Sequence, residues 1–252
     1  FMFLLQNGLN TVTGDPLLDP ERLLQVDLGL KYDNGYTRLA LTGFHAWVFD
    51  YITFENLHVF PIRELPEQVQ LKYVNTDLAT LAGGELLGEW DASDWVTLFA
   101  AASYVDGRDR TRNGSFATKK ASPGSRSERD PTKSRGDYSE IVGAAEEPLP
   151  GIAPLESRLG FRVHEPVARP RWSTELSVRL VDDQDRVATS LLEQPSPGFA
   201  VWDARAYWQA RDNLLLVIGV ENFTNRNYRE HFDFRPQPGS LNRTMYQPGV
   251  NF

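Results

Sequence analysis

The chain has 252 residues, with 34 acidic and 26 basic side chains, a formal net charge of −8 and no cysteine. This length fits one large domain or two small ones. The absence of cysteine excludes a disulfide scaffold, thiolate zinc sites and thiol catalysis, and the negative charge argues against general nucleic-acid binding. No apolar run reaches the roughly 18 residues that a transmembrane helix needs.

Eight segments are predicted as β-strands, so the sequence predicts an all-β chain. In chain order they are residues 24–33, 36–54, 70–90, 95–105, 155–165, 171–182, 199–210 and 214–223, with partial strands at 1–5 and 249–252. Apolar and polar residues alternate along most of them, which gives a strand one apolar and one polar face. We expect one continuous apolar surface to include Val26, Leu28, Leu30, Phe161, Val163, Leu176, Val178, Leu216 and Ile218.

The connections between these strands alternate strictly between short and long. Short turns are predicted at residues 33–35, 91–94, 165–170 and 210–213, and long loops at 55–67, 106–154, 183–197 and 225–248. Antiparallel outer-membrane barrels have this asymmetry, with short periplasmic turns and long external loops. The strands also reach the roughly 9–11 residues that span a bilayer.

The polar faces of the later strands carry many charges. They include Arg158, Arg162, Glu175, Arg179, Asp203, Arg205 and Glu221. A charged face on successive strands suits a water-filled lumen, and it explains a mean hydropathy of −0.40 in a membrane protein. A soluble β-sandwich or jelly roll, which also has one apolar face per strand, is the alternative.

Four segments resemble motifs of TonB-dependent outer-membrane receptors. Leu18-Asp19-Pro20-Glu21, followed by Val26-Asp27-Leu28-Gly29-Leu30-Lys31-Tyr32, is similar to the family's Pro-Glu…Glu-x-Gly-x-(Lys/Arg)-Tyr strand. Residues 75–85 resemble Asn-x-(Asp/Asn)-x-Ala-x-x-x-Gly-x-Glu, and residues 148–155 resemble Pro-Leu-x-x-Ile-Pro-Pro. Residues 219–231 resemble Gly-(Val/Ile)-x-Asn-(Leu/Phe)-x-(Asp/Asn)-(Arg/Lys)-x-Tyr-x-x-His. Asp27 and Ala153 depart from the family, which usually has Glu and Pro there.

The resemblance implies an antiparallel transmembrane β-barrel, of which residues 1–252 would form about eight or nine strands out of roughly 22. We expect the chain to be a fragment, the C-terminal part of the barrel domain, with the N-terminal plug and the final strand absent. The implied function is transport of a scarce nutrient, such as a ferric siderophore or cobalamin, across the cell outer membrane. The implied partners are outer-membrane lipid and lipopolysaccharide, the TonB complex through the missing plug, and the transported small-molecule chelate.

Two other functions remain open. A complete eight-stranded outer-membrane barrel, acting as an adhesin or anchor, matches the strand count, although Pro248 and Gly249 interrupt its last strand. A soluble β-sandwich binding module is the other. No motif for a nucleophile elbow, phosphate loop, dinucleotide fold or zinc protease occurs, so no enzyme is predicted.

No catalytic residue, metal site or cofactor is predicted, and the ligand-binding residues are not assigned. The four histidines, His45, His58, His164 and His231, lack ligand spacing, and we expect each to be hydrogen-bonded in a structural role, with His164 facing the lumen. Residues 182–185 offer oxygen ligands for calcium, but a solvated loop tip is the simpler interpretation.

Charge and aromatic residues mark the predicted loops and strand ends. Between Gly107 and Arg135 nine basic residues face three acidic ones, which suggests a mobile loop that attracts an anionic ligand or lipopolysaccharide phosphates; a merely solvated loop is simpler. We expect interfacial girdles to include Trp47, Phe49, Tyr51, Trp90, Trp95, Trp172, Trp202, Tyr207 and Trp208. Charge at Leu28 or Leu176 should cost about 2–4 kcal/mol, whereas charge at Ser177 should be tolerated.

Overall fold

The computed structural model describes residues 11–60, 68–110, 146–191, 193–233 and 246–251. They form one ten-stranded sheet and a single 3-10 turn at Thr189–Leu191. The strands are β1 (Thr11–Thr13), β2 (Arg22–Asp33), β3 (Thr37–Phe60), β4 (Gln68–Ser93), β5 (Val96–Asp109), β6 (Glu147–Pro148), β7 (Glu156–His164), β8 (Trp172–Val181), β9 (Phe199–Arg211) and β10 (Leu214–Val220). Within these residues, no helix has the length and apolar character needed to cross a membrane.

The eight long strands are the eight that the alternation predicts. They lie in the order β10-β9-β8-β7-β5-β4-β3-β2, and every neighbouring pair is antiparallel. The short strand β1 pairs in parallel with β4, and β6 pairs with the end of β5. Because β2 and β10 are the two edges and do not pair with each other, the described sheet is open and does not form a closed eight-stranded barrel.

Three strands are longer than the pattern predicts. The predicted loop at 55–67 is wrong for residues 55–60, because β3 and β4 stay paired from Tyr51↔Thr76 to Phe60↔Gln68. Likewise, β5 continues to Asp109. These extensions lack a regular alternation of apolar and polar residues, so the period-2 signal ends before the strands do. The predicted strand at 1–5 and most of the basic loop, residues 111–145, lie outside the described residues.

One face of the sheet, here called the outer face, is apolar and exposed. The register aligns Leu28, Gly43, Gly84 and Tyr104 in one row and Phe161, Leu176 and Ala204 in another. All nine residues expected on the apolar surface share this face, with Leu28 76% and Ile218 69% exposed. A sandwich would pack such a face against a second sheet, since exposed apolar area costs about 25 cal/mol per Å² in water.

The opposite face, here called the inner face, is covered at one end only. Three segments fold onto it and form what we call the loop cap: residues 146–154, residues 182–191 with 193–198, and residues 222–233. Leu149 packs against Val48 and Ala79, and Tyr228 packs against a second buried cluster of Val181, Phe199 and Val201. The cap defines the loop end of the sheet, and the short connections define the turn end.

Candidate functional site

Charged side chains form a connected network across the inner face near the turn end. Arg38 on β3 lies 2.9 Å from Glu89 and 3.3 Å from Asp91 on β4. Arg162 on β7 lies 3.7 Å from the same Glu89 and 3.0 Å from Glu175 on β8. To do so, Arg162 crosses β5 with its guanidinium 5.6 Å from the centre of the Phe99 ring. The network therefore links four strands through alternating charges.

Two glycines on this face allow aromatic rings to lie close to the backbone. A Cβ on Gly160 would come within 2.4 Å of the Phe99 ring and 2.6 Å of the Leu176 carbonyl oxygen. A Cβ on Gly83 would meet the Phe44 ring and the Tyr104 carbonyl oxygen at 2.6 Å each. Each ring lies directly across the ladder from its glycine, so the ring occupies the position that a larger side chain would take.

The remaining predicted lumen charges are also on the inner face, and each has an opposite charge beside it. Arg158 contacts Asp203 at 3.2 Å, and Arg205 contacts Glu221 at 3.1 Å. Arg179 binds Glu156 through two bonds of 2.7 Å and reaches Glu230 of the loop cap at 2.5 Å. The seven charged residues that the alternation assigned to this face are confirmed there, together with Arg38, Glu89 and Asp91.

Two open hollows lie on the inner face at the turn end. One, of about 610 Å³, is lined by Arg38, Asp91, Thr97, His164, Arg205 and Tyr207, among others. Thr97 donates to Asp91 at 2.7 Å and lies 3.1 Å from Nε2 of His164. The second, of about 580 Å³, is lined by Lys31, Leu87, Phe99 and Arg162, among others. The expected lumen-facing position of His164 is confirmed.

A buried carboxylate holds the loop cap together. Glu193 accepts hydrogen bonds from the backbone N–H of Gly151 at 2.8 Å and of Ala188 at 2.7 Å. Nε2 of His231 lies 3.2 Å from Glu193, and Nδ1 lies 2.9 Å from Ser196. Burial alone raises the pKa of the Glu193 carboxyl, but the bonds from His231 and the two amides outweigh it and lower the pKa.

The motif that begins at Gly219 builds the remainder of the cap. Asn222, at φ 51°, donates to the carbonyl oxygens of Arg226 and Pro248 and accepts from the Arg226 N–H. Farther along, the Tyr228 ring stacks on Phe199 with centroids 4.3 Å apart. Burial raises the pKa of the Tyr228 hydroxyl, and the charge of Glu230 adds to this. The cap is therefore an ordered structure with its own hydrogen bonds.

The solvated loop tip expected at residues 182–185 is wrong for Gln184. Gln184 is fully buried, pairs with Ser196 and donates to the Ile152 carbonyl oxygen at 2.5 Å. Asp183 accepts from the Gly198 N–H at 2.6 Å, a close approach that only glycine permits, because a Cβ there would lie 2.4 Å from the Val181 carbonyl oxygen. In the part of the chain that the structure describes, no group of three His, Asp or Glu residues is placed to hold a metal ion.

Two motifs far apart in sequence meet beside Asp50, near the middle of β3. Asn75 accepts from the Asp19 N–H at 2.8 Å and donates to the carbonyl oxygens of Asp19 and Asp50 at 3.0 and 2.6 Å. We call this contact the Asn75 clamp. Asp50 has φ 56°, and the β3–β4 register continues unchanged beyond it with Tyr51↔Thr76. Tyr51, the next residue, packs inward against the Val48 cluster.

The outer face carries most of the predicted aromatic girdle. Trp90, Trp172 and Trp208 lie on it at the turn end, with Trp95 6.3 Å from Trp172, and Trp47, Phe49 and Trp202 lie toward the loop end. Thr80, paired with Trp47, and Trp90 are ten residues apart, about 33 Å along β4. A strand tilt of about 40° makes this roughly 25 Å across the layer, the height of a barrel's apolar band.

Two aromatic residues and one histidine differ from expectation. Tyr51 and Tyr207 face inward, so their assignment to a girdle is wrong; Tyr207 donates to the Pro170 carbonyl oxygen at 3.3 Å. His45 lies on the outer face, edge-on to Trp47 at 4.2 Å, in an aromatic contact. His231 is hydrogen-bonded as expected, and the side chain of His58 lies outside the described residues.

Comparison with known proteins agrees with this architecture. The model of the family described as "TonB dependent receptor-like, beta-barrel" matches residues 4–223. The chain belongs to the TonB-dependent receptor-like β-barrel family. Proteins of this family are outer-membrane β-barrels, and they are transporters and not enzymes. The match confirms the resemblance inferred from the four motifs, which the structure places in the Asn75 clamp, the loop cap and the strands beside them.

Solved structures of TonB-dependent receptors share the fold. The copper transporter OprC is 22% identical with a TM-score of 0.68, over 93% of this chain and 31% of that one. The FrpB iron transporter from Neisseria meningitidis is 17% identical with a TM-score of 0.57, over 96% of this chain and 31% of that one. The siderophore receptor PirA from Acinetobacter baumannii is 16% identical with a TM-score of 0.53, over 95% of this chain and 32% of that one. The chain thus spans about a third of these structures. A search of curated protein sequences finds no match.

Proposed function

We propose that this chain forms part of the barrel wall of a TonB-dependent receptor that carries a scarce nutrient across the outer membrane. The observation that carries the proposal is the two-sided sheet, with a largely apolar, exposed outer face and paired charges on the inner face. Such a wall separates lipid from a hydrated lumen. In this proposal residues 1–252 are a partial barrel domain, and the plug and the final strand belong to the rest of the receptor.

We infer a metal or metal chelate as the cargo, because the proteins of similar structure include a copper transporter, an iron transporter and the ferric yersiniabactin uptake receptor FyuA. The proposed partners are outer-membrane lipid, the TonB complex acting through the plug, and the small-molecule cargo. Transport by such a receptor is driven from the inner membrane and needs no covalent chemistry from this wall.

A deletion of the gene tests the proposal. Uptake of radiolabelled ferric siderophores, copper and cobalamin is measured in the parent strain, the deletion strain and the complemented strain, each with and without TonB. We expect one cargo to lose its TonB-dependent uptake on deletion and regain it on complementation. Unchanged uptake of the whole panel, or a protein that fractionates away from the outer membrane, would contradict the proposal.

A further inference from the structure

Charge on the outer face is confined to its loop end. From the row of Trp47 to the turn end, the outer-face positions of the eight long strands hold only two charged residues, Asp106 and Arg108. Arg108 pairs with Thr80, which pairs with Trp47. Arg108 therefore lies level with the aromatic residues at the loop end of the outer face, here called the upper aromatic residues. At the turn end, the outer-face positions of these strands hold tryptophans but no charged residue.

Three arginines gather around this end of β5, and we call them the arginine patch: Arg108, Arg110 and Arg186. Nε of Arg108 lies 3.0 Å from Asp106, and Nη1 of Arg186 lies 3.4 Å from the same carboxylate. Nε of Arg110 donates to Thr80 Oγ1 at 2.9 Å, and its Nη1 lies 2.6 Å from Glu146. The patch therefore has three positive charges against two negative ones.

Contacts with the protein hold these guanidinium groups in place, and some of their N–H donors have no partner among the described residues. Arg186 lies over the outward Tyr104 ring, 4.5 Å from its centre, and donates to the Val105 carbonyl oxygen at 2.9 Å. That oxygen is accessible because β7 pairs with β5 only as far as Ser103. Arg108 uses its Nε alone, so its terminal Nη1 and Nη2 groups have no protein partner among the described residues. Side chains that keep a quarter or more of their surface exposed present these donors at the sheet surface.

We propose that the arginine patch binds a phosphate of a phosphorylated glycolipid in the outer leaflet, the lipid A part of lipopolysaccharide. The inference rests on the outer-membrane location in the proposed function. The row of upper aromatic residues marks the depth where head groups replace acyl chains. The planar guanidinium binds phosphate through two parallel bonds, and such bonds strengthen next to hydrocarbon. Tyr104 and Trp47, on the same face just below and beside the patch, supply apolar contact for the sugar and acyl chains of the same lipid.

The test compares two triple variants of the full-length receptor, purified from outer membranes. Arg108→Gln with Arg110→Gln and Arg186→Gln removes the patch. Arg169→Gln with Arg171→Gln and Arg211→Gln removes three exposed arginines at the turn end and is the matched control. Folding is checked by heat-modifiable gel migration. Binding of diphosphoryl lipid A, and of the same lipid after enzymatic removal of its phosphates, is measured in detergent by native mass spectrometry.

We expect the patch variant to lose about tenfold or more in affinity for diphosphoryl lipid A, as the loss of one charge-assisted contact implies, and the control variant to match the wild type. Wild-type receptor should bind the dephosphorylated lipid as weakly as the patch variant does. Equal binding by patch variant and wild type, equal binding of both lipids, or displacement by millimolar inorganic phosphate would overturn the glycolipid site. A receptor absent from the outer-membrane fraction would instead overturn the proposed function, so the two failures are distinguishable.

Discussion

The outer and inner faces are built from alternate residues of the same strands, yet they follow opposite rules. On the outer face Leu28 and Ile218 are more than two thirds exposed without polar partners. On the inner face Arg38, Arg162 and Arg158 each lie beside a carboxylate. One sheet therefore has one face suited to lipid and one suited to water. Whether an odd or even position points to the outer or the inner face, its parity, decides how far a substitution there destabilises the protein.

The largest effect should come from a charge at the centre of the outer face. Leu28→Lys should destabilise the reconstituted receptor by about 2–4 kcal/mol, because its ammonium would face hydrocarbon. Thr42, an exposed inner-face residue one strand away, is the matched control, and Thr42→Lys should cost less than about 0.5 kcal/mol. Urea unfolding in lipid vesicles measures both, and equal losses would mean that the two faces are wrongly assigned.

Ser177 is not a suitable inner-face control, contrary to the expectation from sequence. Its side chain is only 1% exposed, and Oγ accepts hydrogen bonds from Arg158 at 2.9 and 3.2 Å. A charge there would be buried between strands, so the inner face tolerates charge only where it is open.

A second effect separates buried from exposed ion pairs within the inner face. Arg179→Met should cost about 2–3 kcal/mol, because it leaves Glu156 and Glu230 half-buried without their shared partner. Arg205→Met should cost about 0–1 kcal/mol, since both members of its pair with Glu221 are about half exposed. Chemical unfolding of each variant gives the comparison, and a loss at Arg205 as large as at Arg179 would contradict it.

A third effect tests close packing on the inner face. Gly160→Val should destabilise by about 1–3 kcal/mol, because its side chain must displace the Phe99 ring and meets the Leu176 backbone. A Cβ on Gly29 finds nothing closer than 3.7 Å, so Gly29→Ala should be nearly neutral. Thermal unfolding of the two variants decides; an unaffected Gly160→Val protein would show that Phe99 does not need the glycine.

The smallest effect is pH dependence of the loop cap. The pKa of Glu193 is lowered in the folded cap, so its stabilisation is complete above the unfolded value of about 4.3 and is lost as pH falls through the folded pKa. Amide exchange at Gly151 and Ala188, corrected for intrinsic rates, should therefore accelerate in acid. Glu193→Gln should exchange faster than wild type at pH 7 and lose this acid response. An identical pH profile in both proteins would assign the response to another group.

The features that follow from the alternation of strand residues between the two faces could be predicted from the sequence. Alternation predicted the eight long strands and the apolar face, and Tyr207 follows the same rule, because it lies at an odd position with Asp203 and Arg205. The place of Tyr207 near a strand end predicts a girdle residue, but its parity places it on the inner face, where the structure has it. The four receptor motifs could also be recognised in the sequence, but the contacts that they make could not be predicted from it.

The sequence was not sufficient where contacts are irregular. Tyr51 follows Asp50, which has φ 56°, and packs inward beside Val48 although the alternation along β3 places it on the outer face, and no local sequence signal marks the change. The Glu193–His231 contact joins residues 38 apart through two loops without periodicity. Polar composition made residues 182–185 resemble a solvated tip, yet Gln184 is buried because Ile152 and Ser196 satisfy its hydrogen bonds. Hydrogen bonds between polar groups that are far apart in the chain leave no pattern in a single sequence.

The unequal strand lengths also have a mechanical consequence. β5 ends opposite Ala79, whereas β3 and β4 continue together for about 12 more residues, a ribbon about 40 Å long at the strand rise. Among the described strands, the short strand β1 alone pairs with the far part of this ribbon, at residues 70–72 of β4. The Asn75 clamp lies near its root and joins it to the segment that leads into β2. Because Asn75 bonds both Asp50 on the ribbon and Asp19 just before β2, a displacement of the ribbon at its root would be passed to β2 through this one side chain.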